Sequence, residues 1–542
     1  MGVGPAKAGN SVPVAGWLLL ACSLLSVALK AGLLALHAFP FNADEAIVGL
    51  MARHILTGER PIFFYGQAYL GSTDSFLVAA AFALFGPHVG AIRVVQVLLY
   101  AATVGTTVLI AGRAGFGRWG QAAAGLLMAI PAVNTTLYTT VSIGGYGEAL
   151  LLGNLLLLLT LDMDEGRPTH VKCIGWGVLA GFALWTFGLT LVYSLPAFVL
   201  LAARWIRSGG GTALGRSFSV LVGGILGALP MVAWGAEHGP RALIQELLGG
   251  AIAGASSPHW AQAVWNHILN LVVFGTSVIL GARPPWNVAG LALPLLPLAV
   301  VFWASAVFGA FRPRSSTIHH GAFGRLLGGV ALTVLAGFVL TPFGADPSGR
   351  YFLPLTVVLA FVGGAFVSSV RRRAGARWAT AALAVPLGFA LWGNVQAAQL
   401  HPPGITTQFD AFTRREDQAD QALIEFLRGA GETRGYATYW VSYPLAFLSN
   451  EELIFIPRLP YHADLRYTSR DDRYAPYRAV VEASARVAFI TSRHPELDER
   501  LRDDLRTEGV TFEEIDIGGY HVFYRLSRAI APSDLGIVES GP

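Results

Sequence analysis

Residues 14–58 read VAGWLLLACSLLSVALKAGLLALHAFPFNADEAIVGLMARHILTG. The run from Val14 to His37 is apolar for 24 residues, interrupted by Lys30. That exceeds the 7–15 residues of a signal-peptide core and suits an uncleaved membrane span. Lys30 is expected to snorkel its stem toward the outer headgroups. After Pro40 the period changes. Ile47, Leu50, Met51 and Ile55 fall on one helical face, and Gly58 is a natural stop. The stretch therefore predicts a span followed by a surface-lying amphipathic helix that opens on Asp44-Glu45.

The rest of the chain extends this pattern. Of 542 residues, 54% are hydrophobic and 13% charged, about half the charge of a soluble domain. Residues 400–542 hold 39 of the 72 charged side chains. The chain thus divides into a membrane domain, 1–399, and a C-terminal α/β soluble domain, 400–542. Eleven spans are predicted, near 14–38, 90–111, 119–137, 147–161, 173–187, 189–204, 217–236, 287–310, 326–343, 352–370 and 378–398. The fifth and sixth are short enough to be one re-entrant pair. Phe76–Phe85 is apolar but too short to cross.

Basic residues set the orientation. With the N-terminus inside, fifteen fall in inner loops: Lys7, Arg113, Arg118, Arg167, Lys172, Arg204, Arg207, Arg216, Arg312, Arg314, Arg325, Arg371, Arg372, Arg373 and Arg377. Five fall outside: Arg53, Arg60, Arg241, Arg283 and Arg350. This asymmetry, rather than nucleic-acid binding, explains the net charge of +4. Eleven crossings place the tail outside the cell membrane. The tail reads as helices near 418–428, 441–448, 477–485 and 495–508. Strands are expected near 435–439, 453–457 and 486–491, with a last hairpin, 510–526, turning at Gly518-Gly519. The chain's two cysteines, Cys22 and Cys173, form no metal-binding pair, and no HxH or HExxH spacing links the histidines. No metal or other cofactor is expected.

Carboxylates gather at the outer face: Asp44, Glu45, Glu59, Asp74, Glu148, Glu237, Glu246 and Asp346. Asp44 reads either as a helix N-cap followed by a dipole-favoured Glu45 or as a general base held at the membrane surface. Glu148 sits at the lip of an apolar span, helped there by the helix dipole or kept for function. The run Pro61 to Asp74, with Phe63, Phe64, Tyr65, Gln67 and Tyr69, suits an interfacial aromatic belt or a wall against lipid and sugar. Arg350 either snorkels, pairs with Asp346 four residues earlier, or binds an anion. Arg283 is either a loop charge or an anion ligand.

Asp44-Glu45 just after the first span, Arg53-His54 eight or nine residues on, and the Phe-Tyr-Gly-Gln-x-Tyr-Leu-Gly run at 64–71 resemble the membrane-embedded GT-C glycosyltransferases. Within them, the resemblance is to the bacterial branch akin to protein O-mannosyltransferases and aminoarabinose transferases. Gly144 to Glu148, Gly281 to Trp286 and Gly349 to Pro354 match in the membrane part, with weaker matches at Tyr439-Trp440 and Arg473-Tyr474. Thr73-Asp74 departs from the Leu-Glu common in the family.

The resemblance implies transfer of a monosaccharide from a polyprenyl-phosphate carrier to an acceptor hydroxyl at the outer face, with inversion. The acceptor would be a glycan, lipid or protein. It assigns the base to Asp44 and a second carboxylate to Glu148. It places Glu45, Arg53, His54, Tyr65, Gln67, Arg283, Arg350 and Tyr351 around the substrate. Some members use a divalent metal and others do not. The competing class is a polytopic transporter or lipid flippase, which would carry ionisable groups near the bilayer midplane and an internal repeat. Neither is evident in the sequence. A transferase site should instead bring Asp44 and Glu148 to one outward cavity.

Overall fold

A computed structural model describes residues 12–166, 168–207, 209–249, 259–311, 321–400, 404–408, 412–415 and 417–539. Lys7, Arg167, Arg312 and Arg314 lie outside the described residues. The first half runs α1 (Val12–Ala35), α2 (Ala43–Leu56), β1 (Phe63–Phe64), β2 (Gln67–Gly71), α3 (Thr73–Phe85), α4 (Val89–Arg113), α5 (Arg118–Ala129), α6 (Val133–Tyr138), α7 (Tyr146–Glu165), α8 (His170–Thr186), α9 (Leu191–Arg207), α10 (Gly210–Gly227) and α11 (Leu229–His238). It continues through α12 (Pro240–Gly249), α13 (Trp260–Leu269), α14 (Thr276–Ile279), α15 (Leu296–Ala310), α16 (Ala322–Leu340), α17 (Leu353–Ala374) and α18 (Ala376–Leu400).

Among the described residues eight helical stretches are long and apolar enough to cross a membrane, and a ninth span is made if α10 and α11, bent by 71°, count as one. Eleven were expected. The segment 119–137 is not one helix, because it breaks at Pro131 between α5 and α6. The segment 173–187 forms α8, of 17 residues. The chain is a multi-pass membrane protein. Small residues let its helices approach closely. Gly177 and Gly181 of α8 lie against the backbone of α10, where added Cβ atoms would meet the carbonyl oxygens of Val220 and Gly224.

Helix direction sorts the charges. Asp162 at the end of α7 lies 3.6 Å from Arg113 at the end of α4 and 2.7 Å from Lys172 at the start of α8. Asp164 pairs with Arg204 at the end of α9 at 2.8 Å. Arg371 near the end of α17 lies over Trp119 of α5. These ends form one face of the bundle. The starts of α2, α7 and α17 meet at the other.

Two sequence expectations change here. Lys30 does not snorkel. It is 1% exposed, and its ammonium donates to Thr139 O at 2.9 Å, Thr139 Oγ1 at 2.7 Å and Thr140 Oγ1 at 2.8 Å. It thereby neutralises the C-terminal end of the short helix α6, and the Tyr100 ring lies 4.4 Å away. Nor is α2 a surface helix. Its Ala46, Gly49 and Ala52 are as buried as Ile47 and Leu50, because the tail covers the side opposite the apolar face. A Cβ at Gly49 would stand 2.5 Å from the Phe447 ring.

The tail is mixed α/β, as expected. It contains α19 (Asp420–Ala430), β3 (Arg434–Ala437), α20 (Tyr439–Leu448), β4 (Ile454–Pro457), α21 (Ala475–Glu482), β5 (Ala488–Ser492), α22 (Pro495–Thr507), β6 (Glu513–Ile517) and β7 (Tyr520–Tyr524). The sheet order is β4-β3-β5-β7-β6, with β3 parallel to both neighbours and β7 antiparallel to both of its own. The β6–β7 turn is Gly518-Gly519, with φ of 54° and 96°, the positive values a tight two-residue hairpin requires. The tail is bolted to the first loop. Ile405 N donates to Ala38 O at 2.8 Å, Phe41 N donates to Asp417 Oδ2 at 2.8 Å, and Arg53 Nη1 donates to Phe447 O at 2.9 Å.

Candidate active site

Asn42, not Asp44, caps α2. Its backbone is extended, and its side-chain oxygen accepts from Glu45 N at 3.0 Å. The capping reading of Asp44 therefore falls, and its carboxylate is available from the first turn. Half-buried, it accepts a 2.5 Å hydrogen bond from the Tyr439 hydroxyl at the start of α20. The next residue faces away. Glu45 is fully buried and pairs with Arg93 at 2.8 and 2.9 Å, while Arg93 also donates to Phe39 O and Pro40 O. Burial pushes the Glu45 carboxyl above its ordinary range against the pull of Arg93. Glu45 fixes the entry to α2 rather than a substrate.

Asp44 opens into a cavity of about 290 Å³ between the membrane part and the tail. Phe64, Gln67, Tyr69 and Leu70 come from the β-hairpin, Tyr138, Ile143, Gly144 and Tyr146 from the α6–α7 junction, and Trp286, Arg350 and Tyr351 from further along. The tail adds Thr407, Tyr439, Trp440, Tyr461, Asp471 and Arg473. Of the predicted site residues, Asp44, Gln67, Arg350 and Tyr351 meet here.

Two guanidiniums point into this space from opposite halves. Arg350 pairs with Asp346 at 2.5 Å, the four-residue pair the sequence allows. Its Nε is buried without a partner, and the guanidinium lies 5.1 Å from the Tyr351 ring. Arg473 reaches in beside Gly66. Gly66 has a φ of +68°, and a Cβ there would stand 2.9 Å from the Arg473 side chain. With its amide oxygen toward the guanidinium, Gln67 accepts from Arg473 Nη1 and Nη2 at 2.7 and 2.8 Å. Tyr69 lies within the field of both arginines and of Asp44. Asp471 is 6% exposed. Burial pushes its carboxyl up to about 7, and Asp44 adds to this, while Arg473 and a hydrogen bond from Tyr461 pull it down.

The other predicted residues lie elsewhere. Arg283 is consumed by its own loop. Nε donates to Ser277 Oγ, Nη1 to the carbonyls of Pro284, Pro285 and Asn287, and Nη2 to those of Phe274 and Pro347. It staples the approach to α17 and has no donor left for an anion. Arg53 packs on the Phe447 ring at 4.2 Å and donates to Asn450 Oδ1 at 2.8 Å. His54 bridges Tyr65 at 2.8 Å and Glu451 at 2.9 Å, and Tyr65 donates to Glu59 at 2.6 Å. These three join the first loop to the tail. Glu148 does not reach the cavity either. Gln96 Nε2 donates to Glu148 Oε1 at 3.2 Å and to Asp74 Oδ1 at 2.9 Å, and Ser142 donates to Asp74 Oδ2. The two carboxyls form a buried cluster on α3 and α7. Among the described residues no group of three His, Cys, Asp or Glu is disposed to hold a metal ion.

Sequence reasoning missed Tyr461 and Asp471, and gave Tyr69 only as part of the aromatic run and Arg473 only as a weak family match, without a site role. The available signal was the dense Arg470-Asp471-Asp472-Arg473-Tyr474 run in the tail, whose register against the first loop only the tertiary fold sets.

No protein-family model matches the sequence, and no curated protein matches it. Among solved structures the chain is similar to ArnT from Cupriavidus metallidurans. Against the form bound to undecaprenyl phosphate the TM-score is 0.55 at 12% identity, over 96% of this chain and 99% of that one. Against the apo form it is 0.57 at 13% identity, over 94% and 98%. ArnT is a GT-C membrane glycosyltransferase. The fold expected from the first-loop resemblance is the fold the chain has, tail included.

Proposed function

We propose that the chain is an integral membrane glycosyltransferase that moves a monosaccharide from a polyprenyl-phosphate carrier to an acceptor hydroxyl, with inversion. The observation that carries this reading is the meeting of Asp44 with Arg350 in one cavity, within a fold shared with ArnT, which has been solved bound to undecaprenyl phosphate. In a single displacement the acceptor O–H gives its proton to Asp44. The acceptor oxygen bonds to the anomeric carbon as that carbon's bond to phosphate oxygen breaks. Polyprenyl phosphate leaves with the bonding pair, its charge supported by Arg350. Tyr439 positions Asp44. A cavity of about 290 Å³ is at the small end of ligand pockets and suits one sugar residue rather than an oligosaccharide.

In this reading residues 1–399 form the transferase membrane domain and 400–542 an extracytoplasmic domain that completes the site. The basic face formed by Arg113, Arg118, Lys172, Arg204 and Arg371–Arg373 is cytoplasmic by the positive-inside rule, so the cavity faces out. The acceptor is a glycan, lipid or protein.

The test is to reconstitute the protein in vesicles with a polyprenyl-phosphate-linked sugar and candidate acceptors. Acceptor-dependent release of polyprenyl phosphate supports transfer. Movement of the intact lipid between leaflets without cleavage supports the flippase instead.

A further inference from the structure

At the bundle face opposite the cavity, α1, α4, α5 and α7 enclose a groove of about 1090 Å³. Leu18, Val108, Leu109, Ala122, Leu158 and Leu159 make its walls apolar, and Gly16 and Gly112 widen it. Its rim is cationic. Arg113 and Arg118 stand at the mouth with Trp119 between them and Arg371, whose guanidinium lies 5.6 Å from the indole. Lys172 adds a fourth cation, while Asp162 is the carboxylate shared by Arg113 and Lys172. Arg118 is exposed and has no hydrogen bond or ion pair among the described residues. The 25 residues of α4 span about 37 Å at 1.5 Å each, so the rim and the transfer cavity serve opposite leaflets. One donor headgroup cannot occupy both.

We propose that this groove binds an anionic diacyl phospholipid of the leaflet facing Arg113, with its acyl chains along the leucine walls and its phosphate on Arg118 and Arg113. The groove's shape, long and apolar with cations only at one end, matches a lipid and not a soluble anion. The surplus of positive charge selects an acidic headgroup. Little of α1 is otherwise buried against protein, and a lipid seated here joins it to α4, α5 and α7. The inference stands on the fold and is independent of the transferase reading.

The experiment uses the full-length protein, delipidated in neutral detergent, with phosphatidylglycerol, phosphatidylcholine or undecaprenyl phosphate added. Thermal unfolding and native mass spectrometry are the readouts. Phosphatidylglycerol is expected to raise the melting temperature and to appear as bound mass, and phosphatidylcholine to do neither. At about 1 kcal/mol for each arginine, the Arg113→Ala/Arg118→Ala variant should bind phosphatidylglycerol about 30-fold more weakly. Leu109→Trp, a change at a lipid-facing position, fills the wall, keeps both arginines and should also lose the bound lipid. Equal effects of the two phospholipids would overturn the proposal, as would wild-type phosphatidylglycerol affinity in both variants. A shift with undecaprenyl phosphate alone would make the groove a carrier site and overturn it equally.

Discussion

Asp471 is a carboxylate that the fold holds at a cost, and replacing it should reveal that cost as a function of pH. Burial at 6% exposure, with Asp44 nearby, lifts its carboxyl from 3.8 to about 7 in the folded state. A raised acid binds its proton more tightly when folded. Stability is therefore unaffected below the unfolded value near pH 4, falls as pH rises from 4 to 7, and levels off above 7. About three pH units at 1.36 kcal/mol each give a ceiling of roughly 4 kcal/mol. The pull of Arg473 and Tyr461 on the carboxylate is already contained in that shift, so an Asp471→Asn variant, neutral at every pH, should gain up to roughly 4 kcal/mol over wild type above pH 7. Asp471→Asn should thus melt a few degrees higher than wild type at pH 8 and together with it near pH 4.5. Thermal unfolding of both proteins in the same detergent from pH 4.5 to 8.5 measures this, and lipid-linked-sugar transfer by the variant should fall. A melting difference that does not change with pH would refute the reasoning, as would a wild type more stable than the variant at pH 8.

Three further outcomes follow from the geometry. Arg350→Lys keeps the charge but loses the planar fork, so it should weaken binding of a polyprenyl-phosphate analogue, and Arg350→Ala should weaken it further; unchanged binding by Arg350→Ala would move the phosphate role to Arg473. Lys30→Met should destabilise by about 2–3 kcal/mol in thermal or denaturant unfolding, because Thr139 O and the hydroxyls of Thr139 and Thr140 lose their shared donor in a buried setting. Reporters fused after Arg377 and after Leu400 should lie on opposite sides of the membrane, and same-side reporters would contradict the outward placement of the cavity.

Composition and period made the membrane part and the α/β tail legible because each is a local property. The Gly518-Gly519 hairpin was readable for the same reason: its turn demands glycine. The site was readable only in part. Asp44, Arg350 and Tyr351 are carried by short motifs close to helix starts, and Gln67 by the aromatic run that forms the β-hairpin. Arg283 and Arg53 are not distinguishable from them in sequence, since an arginine beside an apolar span looks the same whether its donors end on a ligand or on carbonyls. Five carbonyls around Arg283 and the Phe447 ring under Arg53 are tertiary facts. Glu148 was misplaced for a related reason. Its position at the lip of α7 gave its depth but not its azimuth, and the helix turns it toward Asp74 and Gln96. Lys30 was misread because snorkelling assumes a lipid-facing stem, whereas the Pro131 break between α5 and α6 brings a helix C-terminus to the ammonium. The tail's part in the site follows from α20 lying on α2, a contact between segments far apart in sequence that Gly49 permits.

The central claim is that Asp44, held by Tyr439, takes the acceptor's proton. Asp44→Asn keeps the shape and an acceptor for the Tyr439 hydroxyl, and the helix cap is untouched because Asn42 supplies it. The direct measurement is the single-turnover rate of sugar transfer by wild type and Asp44→Asn in matched vesicles, with folding checked by thermal unfolding and donor binding measured separately. The account predicts a rate lower by roughly 100- to 10,000-fold with donor binding and melting temperature close to wild type. Transfer within a few-fold of wild type by the folded variant would contradict it.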